Sequence, residues 1–291
     1  MNESTRPQEL PRRGRRASWR QASPLPGLGI TLGLSLTWLS LIVLIPLIAL
    51  LVKAAGLGPH GWWVIATDTR VASAMKLSFG TALIAALVDS VIGTLIAWVL
   101  TRYRFAGRSF VDALVDLPFA LPSAVAGIAL TAIYAGNGWL GHWLEAWGFK
   151  VAYTPAGIVM ALIFVGLPFT VRTVQPVLEN LHHEPEEAAA SLGASRWTTL
   201  WRVLLPQVLP AILTGFSLAF ARGVGEYGSV IFIAGNLPYV SEIAPLLVVI
   251  KLEELDYHGA TVIATLMLSA SFLILFLVNW LQRRLARGHS L

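Results

Sequence analysis

Six apolar runs alternate with short polar connections along the chain, at roughly 29–53, 73–101, 110–135, 155–178, 207–235 and 259–281. A helix needs about 20 residues to cross the hydrocarbon of a bilayer, so every run is a candidate span. The pattern predicts an all-α membrane protein with six transmembrane helices. Two of the runs are interrupted. Asp112, Asp116, Pro118 and Pro122 punctuate the third, and Pro168 and Pro176 flank Arg172 in the fourth. Proline inside a spanning helix frees a backbone carbonyl, which must find a partner in a bundle or a wet cavity. Both helices are therefore expected to be broken, as suits a transport path better than a static anchor. Between the fourth and fifth runs lies a polar, helix-forming island, EEAAASLGASRWTTLWRVLLP, over 186–206.

Composition agrees with the pattern. The 291 residues are 56% hydrophobic and only 13% charged, about half the charge fraction of a soluble domain, and mean hydropathy is +0.68. The net charge of +5 becomes informative once sorted by side. Arg6, Arg12, Arg13, Arg15, Arg16 and Arg20 precede the first run, and Arg102, Arg104 and Arg108 separate the second from the third. Arg196 and Arg202 lie between the fourth and fifth, and Arg283, Arg284 and Arg287 follow the sixth. The opposite connections hold few basic residues: Lys53, Arg70, Lys150 and Lys251. The positive-inside rule then places both termini in the cytoplasm of a multi-pass plasma-membrane protein. Residues 1–28 read as a basic cytoplasmic tail, 29–53 as a first transmembrane helix, and 283–291 as a short closing tail. The tail's arginines orient the chain, and no nucleic-acid partner is expected. The first apolar run is too long for the core of a cleaved signal peptide. With no cysteine, disulfides and thiolate metal sites are excluded; histidines at metal-ligand spacing and a Gly-rich phosphate loop are also missing from the sequence.

The island itself reads as a helix over 184–202. Pro185 fits a first turn, Glu184, Glu186 and Glu187 favour the positive end of the helix dipole, and Arg196 and Arg202 lie toward the other end. Ala188, Ala189 and Ala190 keep one surface narrow, Gly193 permits a bend, and Pro206 closes the segment where the fifth span begins. Leu192, Trp197, Leu200, Trp201 and Leu204 form an apolar side beyond the bend. A small-faced helix with a bulky anchor is something a moving soluble partner could grip.

The fixed offsets in the island, Glu187-Ala188-Ala189, three residues, Gly193, nine residues, Val203, one residue, Leu205-Pro206, resemble the coupling loop of ABC-importer permeases. The likeness extends to LTRYRFAGRSFVDALVDLPFALPSAVAGIAL, PFTVRTVQPVLEN, ARGVGEYGSVIFIAGN and LEELDYHGATVIAT, which are similar to sulfate/thiosulfate permeases of the T type. This resemblance implies a type I ABC-importer permease fold with its core over 73–282. It also implies a W-type permease partner, two ATP-binding subunits and a periplasmic sulfate/thiosulfate-binding protein. Glu187, Ala188, Ala189, Gly193, Leu205 and Pro206 would form the ATPase-coupling loop. The chain would bind no cofactor and catalyse nothing itself, ATP being used by the partner ATPases. Val203 stands where the family usually has isoleucine.

Charged residues within the spans are costly and face a bundle or water. Arg222 and Glu226 are four apart on the fifth run, flanked by Gly223, Gly225 and Gly228, and read either as a contact for a crossing anion or as a structural ion pair. Lys76, Asp89 and Arg172 are weaker candidates of the same kind. A permease for molybdate or another oxyanion would share the spans and the coupling loop. An ATP-independent secondary transporter would instead carry internal inverted repeats, of which the sequence has no sign.

Overall fold

A computed structural model describes residues 28–182 and 184–287, without side chains at 28, 281–283 and 285–287. The basic tail expected over 1–28 thus lies outside the described residues but for Leu28, and the closing tail is described only to Arg287. The chain divides into two compact units between Ala49 and Leu50.

The described residues are helical with connecting turns. Five helices are long and apolar enough to span a membrane: α1 (Gly29–Ala55), α3 (Thr69–Arg102), α8 (Pro155–Glu179), α10 (Arg196–Val224) and the Tyr257–Trp280 part of α13 (Tyr257–Arg287). Between α1 and α3 lies α2 (Gly58–Ala66), and the short α7 (Gly141–Ala146) precedes α8. Asp68 starts α3 by accepting hydrogen bonds from the Arg70 and Val71 amides, satisfying donors that a helix start leaves open.

The third expected span is built from three pieces, α4 (Arg108–Val115), α5 (Leu117–Ala120) and α6 (Ser123–Tyr134). Pro118 sits in the first turn of α5, and Leu121 is extended (φ −88°, ψ 134°) because it precedes Pro122. The break falls where the two prolines were read. In the fourth span the expectation fails: α8 runs unbroken through Pro168 and Pro176. This helix packs against both α3 and α10, neighbours that can hold it continuous across the missing donors.

Small residues let α3, α8 and α10 approach closely. A Cβ on Gly93 would lie 2.8 Å from the Thr170 Cβ, and one on Gly215 would lie 2.9 Å from the Thr170 Cα. Thr170 is thus clasped between glycines of two helices, the arrangement that drives association where lipid offers no hydrophobic contrast. Ala82, Ala85, Ala86, Ala97, Ala161, Val171 and Ala219 extend the same buried seam.

The fifth run, expected over 207–235, also departs from its reading. Its helix stops at Val224, and α11 (Val230–Ile233) and α12 (Ala244–Glu253) follow after turns. Among these turns, buried Glu242 takes a two-pronged contact from Arg70 (2.8 and 2.7 Å), and Ser78 Oγ accepts the Ala244 amide at the start of α12 (2.8 Å). Both contacts tie the α12 region to α3.

Candidate functional site

The polar island folds as two helices and a tight turn. Its first part is α9 (Glu184–Ser191), with Glu184, Glu186 and Glu187 in the first turn, no buried residue, and Glu187 and Ala188 exposed. Gly193 ends it in the left-handed region at φ +76°. The Gly193 amide donates to the Ala190 carbonyl (3.0 Å) and the Ala194 amide to the Ala189 carbonyl (3.0 Å). That pair of bonds is the Schellman closure, which satisfies end carbonyls and favours glycine at this position. Ser195 then begins the next helix, its Oγ accepting the Thr198 amide (3.2 Å). The motif's glycine is therefore the pivot of a helix–turn–helix, where a single helix over 184–202 was expected.

Pro206 does not close the segment. Helix α10 passes through it continuously, with a π-helical turn over Leu200–Leu204 just ahead, in which the Leu205 amide donates to the Leu200 carbonyl. A wider turn relieves the clash between a proline ring and the carbonyl four residues back. Leu205 and Pro206 are half-buried, and Gln207 Nε2 caps the Val203 carbonyl (2.8 Å). Beyond the bend, Leu192, Trp197 and Trp201 are 87%, 67% and 51% exposed, the two indoles meeting edge-on at 5.4 Å. Glu187, Ala188, Ala189, Gly193, Leu205 and Pro206 thus belong to one helix–turn–helix.

A contact missed in the sequence fixes α9 to the bundle. Arg102, in the last turn of α3, pairs with Glu186 at 2.6 Å and lies over the Trp98 ring at 5.3 Å. Arg102 had been read only as an orienting charge. The available signal was a lone acidic cluster facing the basic cluster of another connection, which fixes no partner. Glu186→Arg and Arg102→Glu each place like charges together, and each is expected to lower the ATP-driven uptake that the family resemblance implies about threefold or more. Exchanging both charges should restore most of it; vesicle uptake by the two single variants and the double variant checks this.

Arg222 and Glu226 lie near the other end of α10, roughly 24 Å along the helix from Pro206 at 1.5 Å per residue. They do pair, though not as two residues of one helix face: α10 has ended, and Glu226 folds back from the turn to Arg222 Nη1. Glu226 Oε1 also accepts the Ser229 amide (2.9 Å) and hydroxyl (2.8 Å). Arg172 is engaged at the broken span, donating to Asp116 (2.6 and 2.8 Å), Asp112 (2.7 Å) and Gln175 (2.7 Å), and so pins that break to α8. Asp89 is buried against Gly166 of α8, where an added Cβ would strike its carboxylate.

Residues 89–289 match the family model described as the binding-protein-dependent transport system inner membrane component. The chain belongs to this family. It is a multi-pass membrane permease component rather than an enzyme in its own right. The permease is 47% identical over 268 residues to the sulfate transport system permease protein CysT of Escherichia coli K12, covering 91% of this chain and 97% of that one. To the protein of the same name from Synechocystis sp. it is 50% identical over 249 residues, covering 86% and 87%. Its fold matches a crystal structure of a bacterial ABC transporter that imports the acidic polysaccharide alginate, with TM-score 0.72, 17% identity and coverage of 88% and 95%.

Proposed function

We propose that this permease is the T-type membrane subunit of an ATP-driven sulfate/thiosulfate importer. Its near-full-length identity, close to one residue in two, with permeases named for sulfate transport carries this reading. A W-type permease would complete the translocation path, two ATP-binding subunits would drive it, and a periplasmic binding protein would deliver the anion. The arginine-rich connections support a cytoplasmic side for both termini and α9.

The coupling role of α9 is supported by its build. A helix with an exposed small-residue face, a rigid Schellman turn and three exposed apolar side chains is suited to a groove on a soluble partner. Closing of the ATPases would carry α9 and its neighbours as a body, and the spans would switch the side on which the anion path opens. Only interactions that differ between the two states can drive such a switch.

The test is ATP hydrolysis and anion uptake by the complete complex in proteoliposomes, with sulfate-loaded against molybdate-loaded binding protein. Stimulation of both activities by sulfate is expected. Stimulation by molybdate alone would assign the permease to another oxyanion, and uptake without ATP would overturn the importer class.

A further inference from the structure

The Arg222–Glu226 pair is unequal. The Glu226 side chain is 2% exposed and the Arg222 side chain 38%. Glu226 is held from its other oxygen by the Ser229 amide and hydroxyl, so its position does not depend on the arginine. The closest contact between the two is made by Arg222 Nη1, which lies opposite the Nε–Nη2 edge of the guanidinium. That edge is the fork that holds a tetrahedral oxyanion by two parallel hydrogen bonds.

Arg222 also lines a cavity of about 240 Å³, with Pro118, Leu121 and Ser123 from the broken span and Val165 from α8. Phe119 and Phe169 complete the wall, packed edge-to-face at 5.2 Å. Arg222 is the charged residue of this lining, and Ser123 adds a hydroxyl. The helix break places them together: Pro122 ends the preceding pieces and Ser123 opens α6 at the cavity wall.

We infer that Arg222, with Ser123, is a transient contact site for the oxyanion as it crosses this permease, and that Glu226 keeps the contact weak. This rests on the oxyanion-importer reading and deepens it. An arginine alone at membrane depth would be costly to place, and it would hold a dianion too firmly for release. Pairing with a buried carboxylate answers both problems. The pair is neutral at rest, and an arriving anion shares the guanidinium with Glu226 rather than owning it.

The experiment is radiolabelled sulfate uptake by the complete complex in proteoliposomes, at saturating ATP and sulfate-loaded binding protein. Arg222→Gln with Glu226→Gln removes both charges, preserves side-chain size and allows an amide–amide hydrogen bond. If the site contacts the anion, this double variant assembles into the complex but its maximal uptake falls about tenfold, the worth of one charge-assisted contact. The half-saturating concentration of loaded binding protein should not move if the pair acts on the crossing anion alone. Ser123→Ala leaves the ion pair intact and should lower maximal uptake about threefold, providing the deciding measurement if the double variant does not assemble. Uptake by either assembled variant within about 1.5-fold of wild type overturns the site. Wild-type complex that takes up no sulfate overturns the importer reading and the site together, whereas active wild type with indifferent variants overturns the site alone.

Discussion

Gly193→Val should lower ATP-driven uptake about tenfold or more in a complex that still reaches the membrane, while Gly193→Asn keeps most of the activity. Gly193 sits at φ +76°, and no atom lies within 4 Å of where its Cβ would stand. The cost of a side chain is therefore conformational, not steric. Left-handed backbone costs an ordinary L-residue about 1–2 kcal/mol, more for a β-branched one and less for asparagine. If residue 193 relaxes to right-handed helix, α9 extends by a turn. The Gly193–Ala190 and Ala194–Ala189 bonds are then lost, and Ser195 leaves its cap position. α9 would point in a new direction while the spans stayed intact. A 1.4 kcal/mol shift is tenfold in the population of the native turn. Uptake per ATP hydrolysed, in proteoliposomes, reads the effect. Equal loss in Val and Asn would place the fault in side-chain bulk at the docking surface, and normal uptake in both would remove the turn from the coupling mechanism.

Much of this architecture was legible because membrane spans leave a coarse signal. Four of the six runs became single helices close to where hydropathy placed them, and the third broke at its prolines. What failed did so where packing outweighs local sequence. Pro168 and Pro176 carry the same signal as Pro118 and Pro122, yet α8 is unbroken where α3 and α10 flank it. Gly223, Gly225 and Gly228 were read beside Arg222 and Glu226 within a long fifth span, whereas the span ends there and Glu226 turns back onto Arg222. Glycine spacing alone does not separate those outcomes. The polar island was legible as a distinct segment because several residue types fall at fixed offsets within it. Its tether was not: Arg102 and Glu186 lie far apart in sequence, and no periodicity links them.

Gly127→Ala is expected to cost this permease more stability than any other single added methyl discussed above. Gly127 is buried in α6, and a Cβ there would run into the backbone carbonyl, carbonyl carbon and Cα of Ser229. Overpacking a core costs about 1–3 kcal/mol when side chains can move aside. Here the obstacle is backbone, so the loss belongs at or above the top of that range. It also strikes at function, because Ser229 supplies the amide and hydroxyl that fix Glu226. Displacing α6 would loosen Glu226, and through it Arg222, and would shift Ser123 at the start of the same helix. Gly80→Ala is the matched control: it too lies in a helix, but nothing stands within 4 Å of its added Cβ. Alanine there should be neutral to slightly stabilising, since it favours helix over glycine by about 1 kcal/mol. Thermal unfolding of the detergent-purified complex should separate the two alanine variants by several degrees. Equal melting of both would mean that α6 and the Ser229 turn are not packed against each other as described.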